Sequence, residues 1–353
     1  MKDDYLWDGS GEPDPEIQRL EKLLGRFRHH GPAPELPARP SLWDRLRMRP
    51  WFPELALVTA MALVAVASWL AVRRPPHPAP AGSPAAWAVA RIAGAPTIAS
   101  QRIGETGRLG VGQWLETDAS SRALINVGGV GEVQVDPHTR LRLVDARSAH
   151  RLALQRGTIH AMIWAPPGQF VVDTPSAVAV DLGCAYTLQV DDQGAGLLRV
   201  TFGWVGFKLK ERESFIPEGA VCATRTGSGP GTPYYEDASK AFQSALEKLD
   251  FEPGSAEDRA EELGAVLKQA RKRDALSIWH LLARLEGNQR ERAYVCLVAL
   301  VPPPQGVTRE GILRGDRQMR DLWWNALGLR DIAWWRQWER SWPEKTVTSD
   351  EQK

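Results

Sequence analysis

The chain has 353 residues, with 44 lysines and arginines against 43 aspartates and glutamates, so it is long enough for two or three domains and carries a formal net charge of +1. That balance argues against broad electrostatic attraction to nucleic acid, and no direct nucleic-acid binding is expected. Three cysteines without a C-x-x-C pair leave no zinc knuckle or thioredoxin-like motif, and no residue pattern implies a metal or a cofactor.

Residues 1–52 read as a polar tail with short amphipathic helices. Asp14 before Pro15 is a helix start, an N-cap acceptor followed by a residue that needs no N–H. Ile17, Leu20, Leu24 and Phe27 then recur at helical spacing, until Gly31-Pro32 ends the segment. Leu42, Trp43, Leu46 and Met48 form a second apolar set. Two such helices bury little surface between them and need a partner, either the membrane face or another protein. Leu55 to Val72 contains no charge, and as a helix it spans about 27 Å, close to a bilayer's hydrocarbon core. Residues 53–73 are therefore expected to be a single transmembrane helix, flanked by Trp51, Phe52 and Trp69 where aromatic belts belong. Arg39, Arg45, Arg47 and Arg49 precede it, whereas only Arg73 and Arg74 follow. This excess places the N-terminus in the cytoplasm and the bulk of the chain outside it. Residues 74–86 are a proline-rich, semi-rigid spacer.

From 87 to 226 the pattern has period two. It runs through Ala123-Leu-Ile-Asn-Val127, Glu132-Val-Gln-Val-Asp136, Leu141-Arg-Leu-Val144, Leu152-Ala-Leu-Gln155, Thr158 to Ile163, Phe170-Val-Val-Asp173, Val178-Ala-Val-Asp181, Tyr186 to Val190 and Leu197 to Phe202. Short strands separated by Gly128-Gly129, Asp136-Pro137, Gly157 and Gly194 predict an all-β roll, sandwich or solenoid. Gly227-Ser-Gly-Pro-Gly231 reads as a flexible connector. Residues 234–345 are expected to be α-helical, with segments near 237–250, 256–273, 275–286, 289–300, 309–327 and 330–342. Ser255 and Asp258 make a capping box, and Asp274 and Asn288 are N-cap candidates. Trp334, Trp338 and Trp342 share one helical face, which either docks on the rest of the chain, settles at a membrane or meets a partner. Residues 346–353 read as a disordered tail.

Gly157 before a strand, then Phe170-Val-Val-Asp-Thr-Pro-Ser-Ala-Val-Ala-Val-Asp-Leu-Gly183, Tyr186-Thr-Leu-Gln-Val190 and Val200-Thr-Phe-Gly-Trp-Val205 carry a resemblance to the FecR-type transmembrane regulators of bacteria. The resemblance implies a cytoplasmic tail that binds an extracytoplasmic-function sigma factor, one inner-membrane span and a periplasmic β domain that senses an envelope signal. On that reading Ile17, Leu20, Leu24 and Phe27 are the sigma-factor contacts, and the overall architecture is a membrane-anchored multidomain protein. The chain departs from the family pattern at Gly183-Cys184-Ala185-Tyr186, where Gly-Thr is usual before the aromatic, and in its helical C-terminal region. A siderophore-receptor partner is therefore not carried over. The alternative is a non-enzymatic envelope scaffold, or a module binding a ligand or an envelope protein, anchored by the span.

In an oxidising periplasm Cys184 and Cys222 could pair as a disulfide or stay as two buried thiols, while Cys296 on an apolar helix face belongs to a core. No catalytic set emerges, so no enzymatic activity is expected. His160, Asp173 and Ser176 lie near one another in sequence, but strand alternation and the absence of a strained nucleophile turn argue against a triad.

Overall fold

The computed structural model describes residues 86–147, 149–333 and 336, together with Pro15, Gln18 and Arg19, which are helical and exposed. Ile17, Leu20, Leu24, Phe27, the 53–73 run, Trp334, Trp338, Trp342 and the 346–353 tail lie outside the described residues. Among the described residues no helix is long and apolar enough to cross a membrane. From Ala86 onward the elements belong to one compact unit, residues 80–353.

The alternating pattern folds into 18 strands. The first nine are β1 (Ala86–Ala93), β2 (Thr97–Ile98), β3 (Gln101–Arg102), β4 (Thr106–Gly110), β5 (Trp114–Glu116), β6 (Arg122–Asn126), β7 (Gly131–Val135), β8 (Arg140–Asp145) and β9 (His150–Ile163). The rest are β10 (Phe170–Asp173), β11 (Val178–Asp181), β12 (Ala185–Val190), β13 (Gly196–Phe202), β14 (Trp204–Leu209), β15 (Arg212–Pro217), β16 (Ala220–Arg225), β17 (Gly229–Pro230) and β18 (Tyr234–Tyr235). One sheet runs β4-β1-β6-β7-β9-β12-β13-β16, with β17 and β18 on the far edge of β16. The other runs β3-β2-β5-β8-β9-β10-β11-β14-β15. The inward side chains of both, such as Val133, Leu141, Leu154, Ile159, Phe170 and Leu188, share one buried core.

β9 belongs to both sheets. Its first half pairs with β8 and β10, its second with β7 and β12. The stretches 152–155 and 158–163, read from sequence as two strands, are thus one strand of 14 residues. Gly157 makes this possible: at φ +99° it bends the strand without ending it, and a Cβ there would run into the backbone of Thr139. Gly227–Gly231 is likewise no loose connector. Its last part returns as β17, placing Pro230 opposite Thr224 and Gly229 opposite Arg225.

Among the described residues six helices with defined bounds follow, α1 (Lys240–Phe251), α2 (Ala256–Gln269), α3 (Ala275–Arg284), α4 (Gly287–Leu300), α5 (Arg309–Leu313) and α6 (Arg317–Asn325), and Ile332, Ala333 and Arg336 are also helical. The Ser255–Asp258 capping box forms in both directions. Asp274 stands at the N-cap position of α3 without a side-chain cap, and the Asn288 expectation is corrected. The Asp274 carboxylate accepts from the Arg271 backbone and guanidinium rather than capping α3, and α4 starts at Gly287, one residue before Asn288. The single helix expected over 309–327 is split, because Gly315 turns to φ +83° and Asp316 caps a new helix through the Met319 N–H.

The helices cover a sheet edge. Among the described residues β15 pairs only with β14, leaving its outer backbone groups to be satisfied elsewhere. The Phe215 N–H donates to His280 Nε2 at 3.0 Å, and the Glu213 carbonyl accepts from Arg284 Nη2 at 3.1 Å. His280 and Arg284 stand one turn apart on α3, so one helical face meets the edge. Arg284 also donates to Ser214 Oγ (2.7 Å), Thr232 Oγ1 (2.6 Å) and Asp250 Oδ1 (3.3 Å), while Arg212 reaches the same carboxylate at 2.7 Å. Above this network Trp279, Trp324 and Phe215 pack edge-on or tilted, with centroids 4.7–6.5 Å apart.

Two stability predictions follow from these contacts, both read by urea unfolding. Gly157→Ala is expected to lose at least about 2 kcal/mol, through a forbidden φ and the clash with Thr139. Arg284→Met is expected to lose about 3 kcal/mol or more, since it strips donors from a buried carboxylate, two hydroxyls and a strand carbonyl.

Candidate functional site

The outer face of the first sheet is where the β region presents polar chemistry. Strand alternation puts His160, Thr187, Arg199, Val221 and Tyr234 in one cross-strand row over β9, β12, β13, β16 and β18. Gln189, Leu197 and Ala223 form the next row. His160 Nε2 lies 2.8 Å from Asp136 Oδ2, and its Nδ1 lies 2.9 Å from the Thr187 hydroxyl. Arg199 pairs with Glu236 at 2.7 Å.

The Asp136–His160–Thr187 chain has the connectivity of a catalytic relay without its surroundings. Thr187 sits on a strand paired on both sides, so its own backbone offers no free N–H for an oxyanion. The three residues weighed from sequence separate. Asp173 is held by Arg151 through two hydrogen bonds of 2.7 and 2.8 Å, and Ser176 is buried against Thr224 at 2.6 Å. Among the described residues, no cluster of His, Cys, Asp or Glu could hold a metal ion.

At one end of this face Met162 and Phe202 are 60 % and 65 % exposed, on either side of Ala185, which is opposite both. Trp164, also exposed, is pinned by its indole N–H to the Gly129 carbonyl at 3.1 Å. At the other end the sheet meets α1 across a cleft of about 360 Å³. Gln189, Asp191, Leu197, Ala223, Arg225 and Tyr234 line it from the β side; Leu246, Glu247, Asp250 and Phe251 line it from α1. Arg225 is paired with Glu247 at 2.6 Å and lies over the Phe251 ring. Burial, chiefly, pushes the Tyr234 hydroxyl above the usual phenol range, with Cys222 and Glu247 adding to it.

The disulfide considered for Cys184 and Cys222 does not form; both are free, buried thiols with other partners. Cys222 donates to the Gly231 carbonyl at 3.2 Å, and burial pushes its thiol up to about 12. Cys184 donates to Asp181 Oδ2 at 2.6 Å, while Oδ1 accepts the Gly183 N–H at 2.7 Å. Cys296 packs against the core as expected. Asp181 is 1 % exposed, and no cation contributes to its titration; desolvation raises it to about 7 against the opposing hydrogen bonds. Burial and then Asp181 push the Cys184 thiol well up, and the same causes act on Tyr186, whose buried hydroxyl has no hydrogen-bond partner among the described residues. Nothing in the sequence pattern marked Asp181 except its place on the inward side of a strand, an unusual register for a carboxylate.

Because its folded-state value lies above the 3.8 of a free carboxyl, the folded chain holds this proton more tightly than the unfolded one. Stability from this group is therefore intact below about pH 4 and is lost as pH rises towards 7, by an amount on the order of 4 kcal/mol at most. Asp181→Asn is expected to unfold at a higher temperature than the parent at pH 8, with the gap closing towards pH 4. His280 is shifted the other way by burial and by Arg284, and it loses stability as pH falls below about 6.5. Both proteins share that slope, so the difference in melting temperature isolates Asp181.

Comparison with known proteins places part of this region. Residues 113–205, from just before β5 into β14, match the family model described as FecR protein. Two crystal structures of an anti-sigma factor candidate from Parabacteroides distasonis, at 1.65 and 2.50 Å resolution, show a partial likeness. For each the TM-score is 0.32 and the identity 15 %, over 38 % of this chain and 64 % of the other, so less than two thirds of those chains is spanned. No curated protein matches. The matched span contains Gly157, the Phe170–Gly183 run and the Val200–Val205 stretch on which the resemblance rested, so residues 113–205 within the β region are similar to a FecR domain.

Proposed function

We propose that the chain is a single-pass regulator of the bacterial inner membrane, whose FecR domain senses an envelope signal in the periplasm and whose tail, residues 1–52, controls an extracytoplasmic-function sigma factor. The observation that carries this reading is the FecR match over 113–205. The charge-free run from Leu55 to Val72, with the arginine excess before it, supports the topology. In this reading the role is regulatory and non-catalytic, and the sigma factor meets the Ile17, Leu20, Leu24 and Phe27 face. A second reading, a ligand-binding envelope module held by the span as a plain anchor, draws on the cleft between the outer sheet face and α1.

A two-hybrid assay of residues 1–50 against the extracytoplasmic-function sigma factors of the source organism separates the two. The regulator reading predicts binding to one of them that is lost on Leu20→Asp and on Leu24→Asp, because a charge on a packed apolar face costs more than the interface can offset. Retention of no sigma factor by the tail would favour the anchored binding module.

A further inference from the structure

We propose that the cleft between the outer sheet face and α1 binds an uncharged saccharide, one or two sugar rings of a glycan. As the identity of the sensed signal this rests on the regulator reading; the binding itself does not.

The hydrogen-bonding inventory of the cleft sets the ligand's charge. Arg225 is committed to Glu247 at 2.6 Å, and Asp250 is held by Arg212 and Arg284. Asp191 Oδ1 accepts the backbone N–H groups of Gln193 and Ala195 at 2.9 and 2.8 Å. The lining carboxylates Asp191, Glu247 and Asp250 outnumber the single guanidinium of Arg225, which disfavours a phosphate or carboxylate ligand. Besides one carboxylate oxygen each of Asp191 and Glu247, the polar groups left to offer are the Gln189 amide and the Tyr234 hydroxyl, neither of which makes a hydrogen bond among the described residues. The amide and the hydroxyl can each both donate and accept, which suits the hydroxyls of a sugar, themselves donors and acceptors.

The floor sets the ligand's shape. Leu197 and Ala223 lie between those two groups on the sheet, with Leu246 and Phe251 facing them from α1, so an apolar surface runs between polar ends. A pyranose has that distribution, C–H faces edged with hydroxyls. The volume, about 360 Å³, lies at the small end of ligand sites and well below a protein interface. Strand addition by a peptide is disfavoured, because the edge of β16 nearest the cleft is already paired with β17 and β18. A lipid chain would leave the Gln189 and Tyr234 groups unpaired on binding.

The test is isothermal titration of the full chain with di-N-acetylchitobiose, cellobiose and maltose, repeated on Gln189→Ala and Tyr234→Phe. Saturable binding of at least one disaccharide is expected, weakened about five-fold or more by each variant, as for one lost hydrogen bond. Since the Tyr234 hydroxyl has no internal partner, Tyr234→Phe should melt at the parent temperature, so a loss of binding there is not a loss of fold. The proposal is overturned if none of the three saturates the protein, if binding is indifferent to both variants, or if a neutral tripeptide binds with this sensitivity while the sugars do not. A failed titration leaves the two-hybrid result on the tail untouched, and a failed two-hybrid leaves the titration untouched.

Discussion

The outer edge of β15 is the constraint around which the second half of the chain is arranged. An uncovered strand edge offers unpaired N–H and C=O groups to any other strand, and burying it without partners is expensive. Here α3 brings a neutral histidine ring to the Phe215 N–H and a guanidinium to the Glu213 carbonyl. The histidine must stay uncharged to accept that bond, and its burial beside Arg284 depresses its proton affinity. The arginine then needs its own counter-charge, which Asp250 provides from α1. One unsatisfied edge thus accounts for the position of two helices, a buried ion pair and the aromatic cluster of Trp279, Trp324 and Phe215 packed over it.

The same arrangement creates the cleft. Asp250, anchored by Arg212 and Arg284, fixes the last turn of α1, and from that turn Phe251 reaches the ring-to-guanidinium contact with Arg225. Gln189 and Tyr234 line the same cleft as the last turns of α1. The structural network and the candidate binding site therefore adjoin, and Asp250 and Thr232 belong to both. A substitution intended to probe one must spare the other.

Much of the β region was legible from residues alone, because a half-buried strand writes its two faces as alternation. Val133 and Val135, or Leu152 and Leu154, point inward as their spacing requires. Two stretches looked like separate strands at Gly157 because a glycine that bends a strand and a glycine that ends one leave the same mark; only the pairing of β9 in both sheets tells them apart. In the helices, Gly315-Asp316 is a stop followed by a start, and it was overridden by the apolar periodicity running through it. The cleft was not legible at all. Gln189, Tyr234 and Phe251 come from a strand interior, a two-residue strand and a helix end, with no spacing rule to connect them. The pairing of β12, β13 and β16, and the Arg284 network, bring them together.

The three thiols bear on how this chain can be handled by a cell. Cys184, Cys222 and Cys296 are all free, and burial holds each above the usual thiol range, Asp181 adding to it at Cys184. A protonated, enclosed sulfur is a poor nucleophile and a poor target for exchange. No cross-link contributes to the fold, so the sandwich has no need of an oxidase or an isomerase to mature. Thiol-specific reagents should therefore react slowly with the folded chain and fast with the unfolded one.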